Sequence, residues 1–214
     1  MNHHDTYEYL KKEIKKYESD LRVKHTLGVF QQSMALADLV GLDEDEKFQL
    51  GKAAILHDIT KDFPGEKQIE LCNKYGITAP KRQKDPMPTI HQDTGGYFAR
   101  EKFGDEIVDD AVFSAITCHT TGKPGMSTVD KILFIADYIE PSRVFNSCIE
   151  LRENLYNEIN RINKNDKEAI IYAITRYVIE DIENTIIFLT EKKRYIDYRM
   201  ILAWNDLLKK GELT

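Results

Sequence analysis

Cysteine is scarce: Cys72, Cys118 and Cys148 are the only three in 214 residues, and no two stand at CxxC spacing. That excludes a disulfide framework and a thiolate zinc site. All three read as reduced, small, partly buried hydrophobes. Cys118 abuts His119, but a cysteine nucleophile needs a positioned base and an oxyanion site that nothing nearby suggests. Long apolar runs are missing too. No stretch approaches the ~20 residues of a membrane helix, so no membrane partner is expected. Met1-Asn2-His3-His4-Asp5 is no basic-then-apolar leader, and a cytoplasmic protein is expected. Nor is there a basic excess: 30 Lys+Arg against 36 Asp+Glu give a net charge of -6. Duplex binding relies on clustered cations, so no nucleic-acid partner is expected, whereas a small anionic ligand stays compatible.

Strand-like alternation is also scarce, and helical periodicity dominates. Hydrophobic content of 42% with 31% charged residues suits a globular chain of one domain, or one domain plus an appendage. Tyr7, Leu10 and Ile14 mark a first amphipathic helix. Asp20 is the expected cap of a second, running through His25 and stopped by Gly41. Asp43 and Glu46 have capping-box spacing for a third, which carries His57 and ends near Thr60. Further helices are expected from about Glu66 to Tyr75, from near His91 past Phe103, and from about Asp105 to Cys118. Ser127 caps one that runs to Ile139 and is closed by Pro141. Pro80, Pro86 and Pro88 make 77–88 a loop. Late helices fall near 150–162 and 166–192, the second with an apolar stripe of Ile171, Ile174, Val178, Ile182 and Ile186. The fold class is all-α: a helical core over 1–145 and a C-terminal helical extension over 146–214, read as one structural domain.

Four of the six histidines sit in four separate apolar-rich segments. His57 is followed by Asp58 at the end of Ala53-Ala54-Ile55-Leu56. Burying that pair is costly unless something compensates its polar atoms. A metal ion does so directly, because imidazole and carboxylate are both ligands. Singly, His25 reads as a hydrogen-bonded helix histidine, and His91 and His119 as turn histidines. Two acids compete for a further ligand position. Asp130 lies three residues after Ser127 and has a capping role. Asp137 follows Ile132-Leu133-Phe134-Ile135-Ala136, the most apolar run of the chain, so its carboxylate needs a cation.

The ordered set His25, His57-Asp58, His91, His119, Asp137 resembles the HD-domain metal-dependent phosphohydrolases, whose pattern is H…HD…H…H…D on a helical bundle. The likeness covers about residues 20–145. The segments His25-Thr26-Leu27-Gly28-Val29, Leu56-His57-Asp58-Ile59-Thr60-Lys61, His119-Thr120-Thr121-Gly122-Lys123-Pro124-Gly125-Met126 and Ala136-Asp137-Tyr138-Ile139-Glu140-Pro141-Ser142-Arg143 are similar to one bacterial subfamily. It is that of the YqeK-type symmetrical bis(5'-nucleosyl)-tetraphosphatases.

The resemblance implies hydrolysis of diadenosine tetraphosphate (Ap4A) into two ADP. It implies metal ligands at His25, His57, Asp58 and Asp137, with iron as the metal. Nitrogen and oxygen ligation suits manganese or zinc equally well. Nucleotide contacts carry over onto Arg22, Asp58, Ile59, Thr60, Lys61, His91, His119, Thr120, Asp137 and Arg143. Catalytic roles fall to Asp58, Lys61, His91 and His119, and the last two are also candidates for a second ion. A homodimer is the expected assembly. The sequence departs from the family pattern at Arg194-Tyr195-Ile196-Asp197-Tyr198-Arg199. There the arginines are expected to hold phosphate or pair with Asp197, and the tyrosines to stack on a base. The competing readings are a phosphatase or phosphodiesterase acting on another nucleotide, NAD-related or a guanosine alarmone, and a non-catalytic nucleotide sensor. The sensor should lack a ligand, and none is missing.

Overall fold

The computed structural model describes residues 2–78 and 88–210, and no strand occurs among them. Ten helices follow in order: α1 His3–Ile14, α2 Asp20–Val40, α3 Glu44–Leu56, α4 Gly65–Tyr75, α5 Ile90–Phe103, α6 Asp110–Cys118, α7 Thr128–Ile139, α8 Asn146–Ile159, α9 Lys167–Glu191 and α10 Tyr198–Lys210. Pro80 and Pro86, in the expected 77–88 loop, lie outside the described residues.

Capping residues set most boundaries. Ser19, not Asp20, caps α2, its Oγ accepting from the Arg22 N–H. Asp20 is instead the first helical residue, where its charge meets the positive end of the helix dipole. The expected Asp43–Glu46 capping box opens α3. Ser127 and Asp130 form a second box at the start of α7, which gives Asp130 the capping role assigned to it. Helix α6 starts later than expected, at Asp110, because Asp109 accepts from the Val112 N–H and caps it there. Helix α3 also ends earlier, at Leu56, and the chain continues in tight turns closed by Ile59 N–H to Leu56 O and Lys61 N–H to Asp58 O.

Leu50 through Thr60 are all buried, so α3 and the turns after it are the centre of the molecule. Helices α1, α2, α6 and α7 pack around α3. The approach of α1 is close: a Cβ on Gly51 would run into the Tyr7 hydroxyl. Helix α7 lies against α2, α6, α8 and α9. Ile174, Val178 and Ile182 of the α9 stripe are buried in the core, with Ile171 and Ile186 partly buried at its margin. The sequence reading did not anticipate α10. It packs on α9 through Met200, Ala203 and Leu207, all 2% exposed or less. All three cysteines are free and buried. Burial pushes the Cys118 thiol well above its usual range, which keeps it inert. No helix among the described residues is long and apolar enough to cross a membrane.

Candidate metal centre

The polar residues of the buried middle converge on Asp58. Its Oδ2 accepts from Arg22 Nη1 at 2.7 Å and lies 3.6 Å from His57 Nε2 and 3.7 Å from His25 Nε2. Its Oδ1 lies 3.2 Å from His91 Nε2 and 3.4 Å from His119 Nε2. Asp137 stands on the far side of His25, with Oδ1 3.1 Å from His25 Nε2 and accepting from Arg143 Nη2 at 2.5 Å. His57 and Asp58 belong to the tight turns after α3, so neighbours that would diverge on a helix both reach one centre.

Helix ends orient the rings. Nδ1 of His57, His91 and His119 bonds to the carbonyls of Ala54, Pro88 and Ile116, each three residues earlier. Nδ1 therefore carries the proton in all three, and each Nε2 offers a lone pair to the centre. The Nε2 atoms of His91 and His119 are 3.1 Å apart. Two facing lone pairs at that distance repel, and of the two only His91 Nε2 has the Lys61 ammonium beside it, at 3.1 Å. His57 Nε2 and Asp58 Oδ1 are buried and make no hydrogen bond among the described residues. Orphaned buried acceptors of this kind are costly in a closed protein and ordinary around a metal.

Except at His25, protonation agrees with ligation, which requires neutral imidazoles and ionised carboxylates. Burial lowers His57 to about 3 and, helped by Lys61, His91 to about 4, so both are neutral at pH 7. Burial works against ionised Asp58, but the surrounding histidines hold it well below the usual carboxylate range, and Arg22 is in contact. Asp137 is likewise opposed by burial and held low by Arg143 and His25. Burial also lowers His25, but the carboxylates of Asp137 and Glu140 outweigh that and lift it to about 9. A cation binding at its Nε2 must therefore expel a proton.

Three groups of donors have ligand atoms within 4.8 Å of one another: His25, His57 and Asp58; His57, His119 and Asp137; and Asp58, His91 and His119. The quartet expected from the resemblance, His25, His57, Asp58 and Asp137, is thus spread over two of these groups, and all the groups overlap. The donor chemistry fits a divalent cation.

Arg22, Lys61, His91, His119, Thr120 and Arg143 also gather here. Lys61 Nζ is 3.1 Å from the His91 ring nitrogens, and Thr120 Oγ1 is 3.2 Å from His91 Nε2. Two expected nucleotide contacts do not reach the cleft with their side chains. Ile59 is fully buried in the apolar core. Thr60 is also buried, its hydroxyl donating to the His91 carbonyl and meeting Thr94, so it props up His91. Only main-chain groups of these two remain for a ligand. Arg199 clasps Asp197 and Asp93, in line with the pairing expected for it.

Two residues at the site were not singled out in the sequence. Gln92 accepts from the Thr120 and Thr121 N–H groups and donates to Thr121 Oγ1, fixing the turn after His119. Glu140 meets His25. An acid just before Pro141, at the end of the apolar run that drew attention to Asp137, was a legible signal for it. A cleft of about 560 Å³ opens over the cluster, lined by Arg22, His25, Asp58, Lys61, Asp137 and Arg143 and rimmed by exposed Leu21, Val144 and Phe145. Arg143 and Phe145 also border a neighbouring groove of about 450 Å³ between α8 and α9.

Comparison with known proteins agrees with this geometry. Residues 22–142, more than half of the chain, match the model of the HD domain. The "Bis(5'-nucleosyl)-tetraphosphatase, symmetrical" of Halalkalibacterium halodurans is 32% identical over 199 residues, 91% of this chain and 93% of that one. A protein of the same name from Bacillus subtilis is 29% identical over 196 residues, with 91% and 94% covered. The solved structure of a "predicted HD superfamily hydrolase involved in NAD metabolism" from Clostridium acetobutylicum superimposes with a TM-score of 0.76 at 30% identity, covering 95% of this chain and 97% of that one.

Proposed function

Because this chain belongs to the HD domain family, we propose that it is a metal-dependent hydrolase that cleaves Ap4A symmetrically into two ADP. The convergence of unpartnered imidazole and carboxylate atoms on Asp58, flanked by two arginines, carries this reading. Relatives named as symmetrical tetraphosphatases along nearly their whole length support the substrate. His25, His57, Asp58 and Asp137 are the proposed ligands of the first ion, and His91 and His119 with Asp58 would hold a second. The family resemblance favours iron, and the donor set accepts manganese or zinc as well. Such a metal supplies Lewis acidity, which acidifies a water and polarises a phosphoryl oxygen.

The residues of the chain do the rest. A tetraphosphate repels an attacking oxygen with its own charge. Arg22 and Arg143 already bind carboxylates at the cleft and can fork onto phosphate oxygens as well. Lys61 is largely buried, and its ammonium against His91 places positive charge beside the transferring phosphoryl group. Water adds to one of the two central phosphorus atoms, the central bridging P–O bond breaks, and ADP leaves with the bridging oxygen. The groove beyond Arg143, lined by Tyr138, Phe145, Asn184, Thr185 and Phe188, suits one nucleoside.

A cytoplasmic location is proposed with the function, supported by three free cysteines. So is a homodimer, supported by exposed Ile187 and Ile201 beside Trp204 on α9 and α10. No nucleic-acid partner is proposed.

The test is chromatographic identification of products from Ap4A, with NAD+ and a mononucleotide alongside. Assays are repeated after chelation and on Asp58→Ala and Asp137→Ala. Two ADP from the wild type and at least a roughly hundredfold loss in both variants are expected, more than is typical for outer-sphere partners. Wild-type turnover in both variants would refute the site assignment, and phosphate release from the mononucleotide alone would refute the substrate.

A further inference from the structure

His25 is oriented differently from the other clustered imidazoles. They use main-chain carbonyls, whereas its Nδ1 lies 3.1 Å from Oε1 of Glu140, a side chain 1% exposed that reaches α2 from the end of α7. We infer that Glu140 is the positioning residue of the metal ligand His25, accepting a hydrogen bond from its Nδ1–H and turning Nε2 toward the cluster. This rests on the metal-centre reading above.

Three observations carry it. The carboxylate is itself held in place: Ser142 donates to it through N–H at 2.7 Å and Oγ at 2.5 Å. The main chain beneath it is pinned by Arg152, whose Nη2 donates to the Glu140 carbonyl at 2.8 Å and whose Nε donates to that of Ile139. Finally, α2 leaves room for it. A Cβ on Gly28, three residues beyond His25, would stand 2.6 Å from Glu140 Oε2, and a carboxylate fixed from three sides cannot yield cheaply.

An anionic acceptor on Nδ1 makes the opposite nitrogen a stronger ligand than a carbonyl acceptor does, and removing such partners typically costs about 10- to 100-fold in metal affinity. Glu140 follows Asp137 by three residues, so one helix end supplies a ligand and steadies another.

Chelator-stripped wild type, Glu140→Gln, Glu140→Ala and Gly28→Ala are titrated with Co2+ alone. Affinity is read by competition with a chromophoric chelator, geometry by visible absorption, and stability by melting the stripped proteins. Glu140→Gln should bind Co2+ roughly 10- to 100-fold more weakly with displaced bands, and Gly28→Ala should change in the same direction. Unchanged affinity in both overturns the inference, whether or not the stripped proteins melt lower. A wild type that takes up no Co2+ overturns both this inference and the metal reading. If Glu140→Ala fails to fold, the near-isosteric Glu140→Gln and Gly28→Ala decide the matter.

Discussion

Glu18 shows how one buried side chain outside the ligand set can shape the whole stability profile. It is 6% exposed, accepts from the Thr26 hydroxyl at 2.8 Å, and has its other oxygen unpartnered among the described residues. Burial, with Asp58 and Asp62 adding to it, raises its pKa to about 8 against the pull of Thr26 and Arg22. The folded chain therefore keeps a proton that the unfolded chain has released above its ordinary value of about 4.3. Between those values the native state binds more protons than the unfolded one, so stability falls as pH rises and levels off above about 8. One proton gives a slope of at most about 1.4 kcal/mol per pH unit. Glu18→Gln keeps an acceptor for Thr26 and cannot ionise. Urea unfolding of the stripped proteins at pH 5, 6.5 and 8 should give a flatter profile for the variant, and parallel profiles would refute the shift. Glu18 was not legible in the sequence, because its burial comes from packing after α1, with no apolar run around it. Asp137 was legible for the opposite reason: five apolar residues precede it, and a carboxylate among them called for a cation.

At the scale of elements, boundaries were legible where a side chain caps its own helix and lost where a turn replaces one. The Asp43–Glu46 and Ser127–Asp130 boxes stand where local spacing puts them. The end of α3 does not, because the turns through His57 and Asp58 serve the centre and break helical register there. Helix α10 escaped notice although Met200, Ala203 and Leu207 have helical spacing, since the charges of 192–199 mask its start. Its anchor is a long-range ion network. Arg199 donates to both Asp93 oxygens at 2.8 and 2.9 Å and to Asp197 at 2.8 and 3.1 Å, while Thr89 donates to Asp197 at 3.0 Å. Thr89, just before α5, and Asp93 on it flank His91, so the last helix is tied to the element carrying a site imidazole. Arg199→Ala leaves two acids facing each other, one of them 4% exposed. Breaking a buried pair costs about 3–5 kcal/mol; discounted for the partial exposure of Arg199 and Asp93, about 2 kcal/mol is expected. For a chain of this size that lowers Tm by about 4–8 °C. Arg199→Lys, which keeps the charge and loses the fork, should recover part of it. An unchanged Tm in Arg199→Ala would mean the network is idle.

For the whole molecule, the centre is where the fold is joined. His25 comes from α2, His57 and Asp58 from the turns after α3, His91 from α5, His119 from the end of α6, and Asp137 from α7. An ion there cross-links segments spread over more than a hundred positions, and it removes the repulsion of imidazole lone pairs 3.1 Å apart. The unfolded chain has no such site, so binding free energy becomes folding free energy. At free metal about 100 times Kd the gain is about 2.7 kcal/mol. In a chain of this length that corresponds to about 5–10 °C in Tm. Melting in the presence of a strong chelator should therefore fall below the metal-loaded value by that margin, and added metal should restore it. Asp58→Ala should melt at the same temperature with and without chelator, because the group common to most of the contacts is gone. Its stripped form should melt no lower than the stripped wild type by more than the loss of its Arg22 bond explains. A wild type whose melting ignores chelator and metal alike would show that the five segments are held by the apolar core alone, and that the cluster does not join them through a cation.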